Sequence, residues 1–467
     1  MIRHAFAAAA LLAAAPLATS PLQAQSTSQD ELDARYDRAL AAGYKALFLC
    51  SAIANAERNG TTRTPESVMA WELTGIQAPL DQIVAEMPFS VLRFAGQHVA
   101  HVQVDWSENM PPRYAKAQRD QGCRLAPVGQ ASPMLDSLTT ERSKVVRTDT
   151  IEIAAPGAER LSLRQTKKLK SVFSSVFSGQ YGSATRTTAV IIKRGAAFSE
   201  QYDKDFSPLI PQRTWSVAKS IAATLVGAAV QRGDTTTDRA AGLGLFVNDP
   251  RHAITIDHLL RMASGRYSDT PGNRTDPLYF GGSTVDETAA HWPLLHRPGT
   301  VFRYANNDTL MAVDAIADTF DAHPPAEFFA QVGMDHTVAE TDWQGDYILS
   351  SQVWSTARDL ARLGQLYLDD GVLPSGERVL PEGWVEYVSS PSGPQPDGQF
   401  GYGAGFWLFD KSEGIPADTF AAMGNRGQYV VIVPSMNVVI VRRGEDPTGS
   451  RFDIAAFTRD VLESLEE

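Results

Sequence analysis

Two short apolar runs near the C-terminus, Val430-Val-Ile-Val433 and Val438-Val-Ile-Val441, are separated only by Pro434-Ser435-Met436-Asn437. β-Branched residues fit a pleated surface and the intervening residues favour a turn, so the pair reads as a β-hairpin. Thr188-Ala-Val-Ile-Ile-Lys193 reads as another strand. Helical periodicity appears over 221–230, 309–319 and 357–368. The expected class is therefore mixed α and β, a sheet covered by helices. No fixed-period repeat appears, which disfavours a solenoid or propeller.

The length of 467 residues allows one large domain with an appended module, or two to three smaller domains, and 43% hydrophobic residues imply a sizeable core. With 42 basic against 54 acidic residues, the net charge of −12 gives no electrostatic footprint for DNA, RNA or an anionic membrane.

The N-terminus carries Arg3 and His4, an apolar run from Ala5 to Ala15, a break at Pro16 and a small residue at Ala24. Residues 1–24 are expected to be a secretory signal, placing the protein in the periplasm or outside the cell. The apolar run is too short to cross a bilayer, so no membrane span is expected. Cys50 and Cys123 are the only cysteines, and an exported chain with two makes a disulfide the expectation, against two buried thiols that never meet. A helical pattern over 32–57, with Leu32, Tyr36, Leu40 and Tyr44 at intervals of four, opens an N-terminal module. Strand-like runs follow at 90–94 and 99–104. A Ser/Thr/Pro-rich stretch over 127–157 suits a linker. The expected division is 25–145 for this module, of unassigned role, and 146–467 for the rest.

The most informative segment is Thr214-Trp-Ser216-Val-Ala-Lys219, which leads into the apolar run Ile221 to Val230. Ser216 then sits at or beside a helix N-terminus. Three residues make nearly one turn, so Ser216 and Lys219 share a face and can share a proton. The free N–H groups and positive dipole end at a helix start also favour developing oxyanion charge. A lysine base must be brought down from a reference pKa of about 10.4, which takes burial or neighbouring charge. Alone the pair is weak, because a capping serine and a solvated lysine give the same spacing.

Further motifs follow in order: Ile256-Asp-His-Leu-Leu-Arg-Met-Ala-Ser-Gly265, Phe302-Arg-Tyr304-Ala-Asn306 and Gly424-Asn-Arg-Gly427-Gln. Over about 185–445 this order resembles the serine β-lactamases and penicillin-binding proteins, in the class C-related branch where Tyr-x-Asn is the second motif. The resemblance implies an α+β fold with an antiparallel sheet flanked by helices and an all-helical subdomain, here with an extra N-terminal module. It also implies Ser216 as the acylated nucleophile, Lys219 and Tyr304 sharing proton transfer, and Asn306 orienting Lys219 or substrate. Backbone N–H groups of Ser216 and Asn425 would form the oxyanion hole. Neither metal nor organic cofactor is implied.

Where the β-lactam-binding enzymes carry Lys-Thr-Gly, this chain reads Ala422-Met423-Gly424. Alanine and methionine cannot hold a substrate carboxylate, and Arg426 is the nearest replacement. The Gly-x-x-Gly-Gln form is similar to the esterase and 6-aminohexanoate-dimer hydrolase relatives, so the expected substrate is a small ester or linear amide. Tyr267, Tyr279 and Asp286, in the loop after the second helical motif, are candidates for substrate contact. A β-lactamase or D,D-peptidase is the alternative enzyme, and a non-catalytic cell-wall or partner-binding protein the alternative of another class. There is no His-Glu-x-x-His, and His98 and His101 would point to opposite faces of one strand. Gly401-Tyr-Gly403-Ala-Gly405 reads as a turn before a strand at 406–408, and Ser355 as the cap of the 357–368 helix. The sequence leaves the oligomeric state open.

Overall fold

The computed structural model describes residues 27–95, 97–118, 121–132, 161–268 and 275–466. The expected signal segment and most of the 127–157 linker lie outside the described residues.

The C-terminal hairpin forms between Gln428–Val433 and Val438–Gly444, with Val433 opposite Val438 and Asn437 in the left-handed region at φ 51°. It is central to a seven-stranded antiparallel sheet. On one side lie Phe420–Gly424, Trp407–Leu408 and Gly401–Tyr402, and on the other Thr187–Arg194 and Ala197–Tyr202. Alternate side chains of each strand enter different cores. Val430, Ile432, Val439 and Val441 pack in one, and Val431, Val433, Val438 and Ile440 in the other. Burial on both faces is why the runs are continuously apolar rather than alternating. The second core is closed by the helices Leu163–Phe177 and Ile454–Ser464. The first takes Val217–Arg232 and Ala357–Leu368. The 357–368 helix begins as expected, but its cap is Thr356, which accepts from Asp359 N; Ser355 belongs to the strand Val353–Ser355.

The N-terminal helix spans Gln29–Arg58 and opens with a capping box between Ser28 and Glu31. Leu32 and Tyr36 are exposed, and burial begins at Ala39, so the first turns of the expected apolar stripe lie outside the core. The helix is long and apolar enough to cross a membrane, yet 94% of its qualifying stretch is buried inside the protein. It packs on a four-stranded antiparallel sheet of Phe89–Phe94, His98–Val104, Arg113–Gln118 and Gly122–Leu125. A register shift opposite Arg93 interrupts the first pairing, so simple alternation does not fix the facing of His98 and His101. The Cys50–Cys123 disulfide is formed, with Cα atoms 6.1 Å apart, and joins the helix to the last strand. Leu47 and Phe48 of this module pack in the same core as Val217 and Ile221.

Candidate active site

The candidate nucleophile emerges from a constrained turn. Gln212 and Arg213 pair with Ser355 and Trp354, and Thr214 N donates to Val353 O at 2.7 Å. Trp215 then takes φ 51°, a left-handed conformation that costs a bulky residue of order 1–3 kcal/mol. The surroundings hold it there: the buried Arg213 guanidinium lies 4.2 Å from the Trp215 ring, and Phe48 packs at 5.9 Å. Ser216 is the N-cap of Val217–Arg232, but its side chain makes no capping hydrogen bond. The hydroxyl is thus not spent on the role that most N-terminal serines play.

The Val217–Arg232 helix is buried from Val217 through Ala229, which carries Lys219 into the core with it. Lys219 Nζ donates to Asn306 Oδ1 at 2.6 Å, to Ser350 O at 3.0 Å and to Ser216 Oγ at 3.3 Å. Among the described residues no carboxylate forms an ion pair with this amine. Burial lowers its pKa to about 7.

Asn306 opens the helix Asn306–Asp314, and its Nδ2 donates to Thr275 Oγ1 at 2.9 Å, which turns its carbonyl oxygen toward Lys219. Two residues earlier, Tyr304 sits in an extended approach to that helix. Its ring packs against Trp407 at 5.3 Å and Tyr402 at 6.1 Å, and Lys219 Nζ lies 5.0 Å from its centroid. Burial raises the Tyr304 pKa, while Ser216 and Trp407, both facing its hydroxyl, pull the other way.

The third motif also reaches this point. A Cβ on Gly424, at the end of Phe420–Gly424, would lie 2.4 Å from Thr214 O and 3.1 Å from Ser216 N. Only glycine lets the strand end this close to the nucleophile turn. Asn425 follows at the exposed tip, where its Oδ1 accepts from Arg426 N. Ala422 is fully buried. Arg426 does not replace the missing lysine: it is 4% exposed, paired with Glu445, and donates to the Trp71 and Thr74 carbonyls.

Tyr279 is placed differently from the expected loop position. It lies buried in the π-helical turn Pro277–Gly281, and its hydroxyl shares a 2.7 Å hydrogen bond with Ser350 Oγ. Burial pushes its pKa up to about 12. It therefore backs the segment that holds Lys219 rather than facing an open cleft. Tyr267 packs on Trp292 at 5.8 Å, and Asp286 lies 3.7 Å from His291 on the surface. Among the described residues no group of three or more His, Cys, Asp or Glu is arranged to hold a metal.

Three participants escaped the sequence. Ser350 contributes a backbone carbonyl, which leaves no signature in residue identity. Arg213 acts through stacking under the turn. Trp407 was legible only as part of a strand, although its place across from Ala421 brings it beside Tyr304.

Comparison with known proteins agrees with this arrangement. A 6-aminohexanoate-dimer hydrolase of Paenarthrobacter ureafaciens is 25% identical over 393 residues, covering 76% of this chain and 91% of the relative. Among solved structures, a Bacillus anthracis protein provisionally assigned as a 6-aminohexanoate-dimer hydrolase superposes with a TM-score of 0.54 at 20% identity, covering 67% of this chain and 87% of that one. A Bacteroides dorei protein provisionally assigned as a β-lactamase gives 0.51 at 20% identity, covering 64% and 98%. These likenesses establish the β-lactamase/transpeptidase-like fold. The Beta-lactamase family profile matches residues 210–461, more than half of the chain and the span that carries all three motifs, so the chain belongs to the β-lactamase family, a serine hydrolase family.

Proposed function

We propose that the protein is an exported serine hydrolase that cleaves small esters or linear amides through an acyl-enzyme on Ser216. The observation that carries this reading is the buried, carboxylate-free Lys219 within hydrogen-bond reach of a serine that caps nothing. Two of the three partners of its amine, Ser350 O and Asn306 Oδ1, can only accept. A neutral amine gives its two N–H groups to them, which leaves its lone pair for the Ser216 hydroxyl proton. Ser216 Oγ then attacks the carbonyl carbon, and the oxyanion is met by the Ser216 and Asn425 N–H groups. Tyr304, whose pKa is raised, keeps its proton at neutral pH and is placed to pass it to the leaving alcohol or amine. Lys219 hands the serine proton on to Tyr304, which restores both groups; water then gives them a proton as it attacks the acyl carbon, and that proton returns to Ser216 Oγ as the acid departs.

The substrate class rests on the third motif. β-Lactams and D,D-peptides carry a carboxylate that needs a cationic or hydroxyl partner. Ala422 is buried and apolar, and Arg426 is committed to Glu445 and two carbonyls. An ester or linear amide without a carboxylate beside the scissile bond suits the site better. Export is supported by the formed disulfide.

The test is initial rates on a short-chain nitrophenyl ester and on a chromogenic cephalosporin, wild type beside Ser216→Ala. Ester turnover lost with Ser216, and slow or no cephalosporin turnover, is expected. Equal ester rates in the two proteins, together with no fluorophosphonate labelling, would favour the binding-protein reading.

A further inference from the structure

The N-terminal module grips the turn that would complete the oxyanion hole. The end of the helix Pro65–Trp71 and the loop after it present the carbonyls of Trp71 and Thr74, and Arg426 Nη2 donates to both at 2.9 Å. Arg426 Nε pairs with Glu445 at 3.0 Å, and Glu445 in turn accepts from Gln212 Nε2. The Arg426 carbonyl accepts from Asp446 N and from Gln428 Nε2, so both ends of this residue are fixed. Its φ of 56° is unfavourable for a side chain other than glycine and is held by these contacts. The same loop is tied down again where Thr448 N donates to Gly75 O at 2.7 Å, and a Cβ on Gly75 would lie 2.9 Å from Pro447.

We propose that Arg426 is a positioning residue through which the N-terminal module holds the 424–428 turn against Ser216. Asn425 N–H lies between two fixed points, Gly424 beside Ser216 N and Arg426 clamped to the module. A guanidinium suits this work because its fork reaches a carboxylate and two carbonyls at once, which a lysine ammonium on a flexible stem does not reproduce. Oxyanion donors act only within a few tenths of an ångström of their position. Loosening the clamp therefore costs turnover without touching the lysine that moves the proton.

This inference rests on Ser216 being the nucleophile, and Ser216→Ala tests that separately. Arg426→Lys keeps the charge beside Glu445, and Arg426→Met with Glu445→Gln removes both charges together. In each, kcat on the nitrophenyl ester should fall about tenfold or more with KM nearly unchanged, and the pH midpoint should stay where the wild type has it. Lys45→Met, which removes an amine that ties Val84 and Met87 within the module, should lower Tm and leave kcat unchanged. Hydrogen exchange on the wild type gives a reading that needs no variant. Phosphonylation of Ser216 by a fluorophosphonate, with loss of fluoride, should raise protection at 424–428 and, through the clamp, at 71–75. Turnover lost in Ser216→Ala but retained in both Arg426 variants, or protection at 71–75 unmoved by phosphonylation, overturns the proposal and leaves the nucleophile standing. Turnover retained in Ser216→Ala overturns the nucleophile itself.

Discussion

The burial that lowers the Lys219 pKa also costs the fold stability. The residue is 2% exposed, and burial brings its pKa down to about 7 from the ordinary 10.5. In the proposed mechanism the free amine is the base, so turnover should rise with pH and level off above a midpoint near 7. The same shift is a linkage statement. Between about 7 and 10.5 the unfolded chain binds more protons at this site than the folded one, so stability rises with pH across that window. Below pH 7 both states hold the proton and the full desolvation cost remains. Lys219→Met should abolish ester turnover, and the Tm difference between variant and wild type should shift toward the wild type as pH rises from 7 to 10. A difference that stays constant with pH would show that the lysine is not desolvated. The Ser216–Lys219 pair was legible because one helical turn fixes it locally. The partners that tune the amine, Asn306 and the Ser350 carbonyl, lie 87 and 131 residues away. Only the family motif could point to Asn306, and nothing in the sequence to Ser350.

At the scale of the element, the site is a meeting of ends: the N-terminus of one helix, the approach to another and the last residue of a strand. Gly424 decides how near the strand comes. An alanine there would drive its Cβ against Thr214 O and Ser216 N at 2.4 and 3.1 Å, both backbone atoms that cannot rotate away. Gly424→Ala should cut kcat about 100-fold, as expected for a misplacement near 1 Å, while the protein stays folded. Circular dichroism with ester kinetics checks it, and a kcat within about twofold of wild type would mean that the strand end plays no part in the oxyanion hole. The hairpin and the 357–368 helix were readable because each is settled by its own residues. The sequence points to a cap one position too early because serine is in isolation the better N-cap of the two, Ser355 over Thr356. Pairing of Gln212–Arg213 with Val353–Ser355 draws Ser355 into a strand, and that is a long-range decision.

In the whole molecule the N-terminal module and the hydrolase part share one core, and a buried carboxyl sits where they meet. Glu340 accepts from Ser51 Oγ at 2.5 Å and from Cys123 N at 2.9 Å, beside the disulfide, and burial raises its pKa to about 7. The folded protein therefore binds a proton here that the unfolded chain has already lost above about pH 4.5. Stability falls as pH rises from there through 7. Glu340→Gln keeps both acceptor contacts without the charge, so it should raise Tm at pH 8 and change it little at pH 4. Equal effects at the two pH values would place the carboxyl in contact with solvent.

The boundary expected near residue 145 raises the question of whether the second part stands alone. The helix Gln29–Arg58 buries Leu47, Phe48 and Ile53 in the core that also holds Val217 and Ile221. Tyr44 packs at a tilt against Phe280 at 4.4 Å, and Phe48 packs on Trp215 directly before Ser216. Arg113 donates to the Phe280 carbonyl, and Arg426 to the carbonyls of Trp71 and Thr74. Removing the module would expose these apolar faces, at about 25 cal/mol for each Å² returned to water, and would leave Arg426 without its carbonyl partners. A chain that starts at residue 161 should therefore lack a cooperative thermal transition, bind a hydrophobic dye and show no ester turnover, although it retains every motif. Mixing it with separately produced residues 25–132 tests whether the two parts make one folding unit. Recovered turnover on mixing fits the shared core. A truncated chain that melts cooperatively and turns over ester would show that the module is an addition to a self-sufficient enzyme.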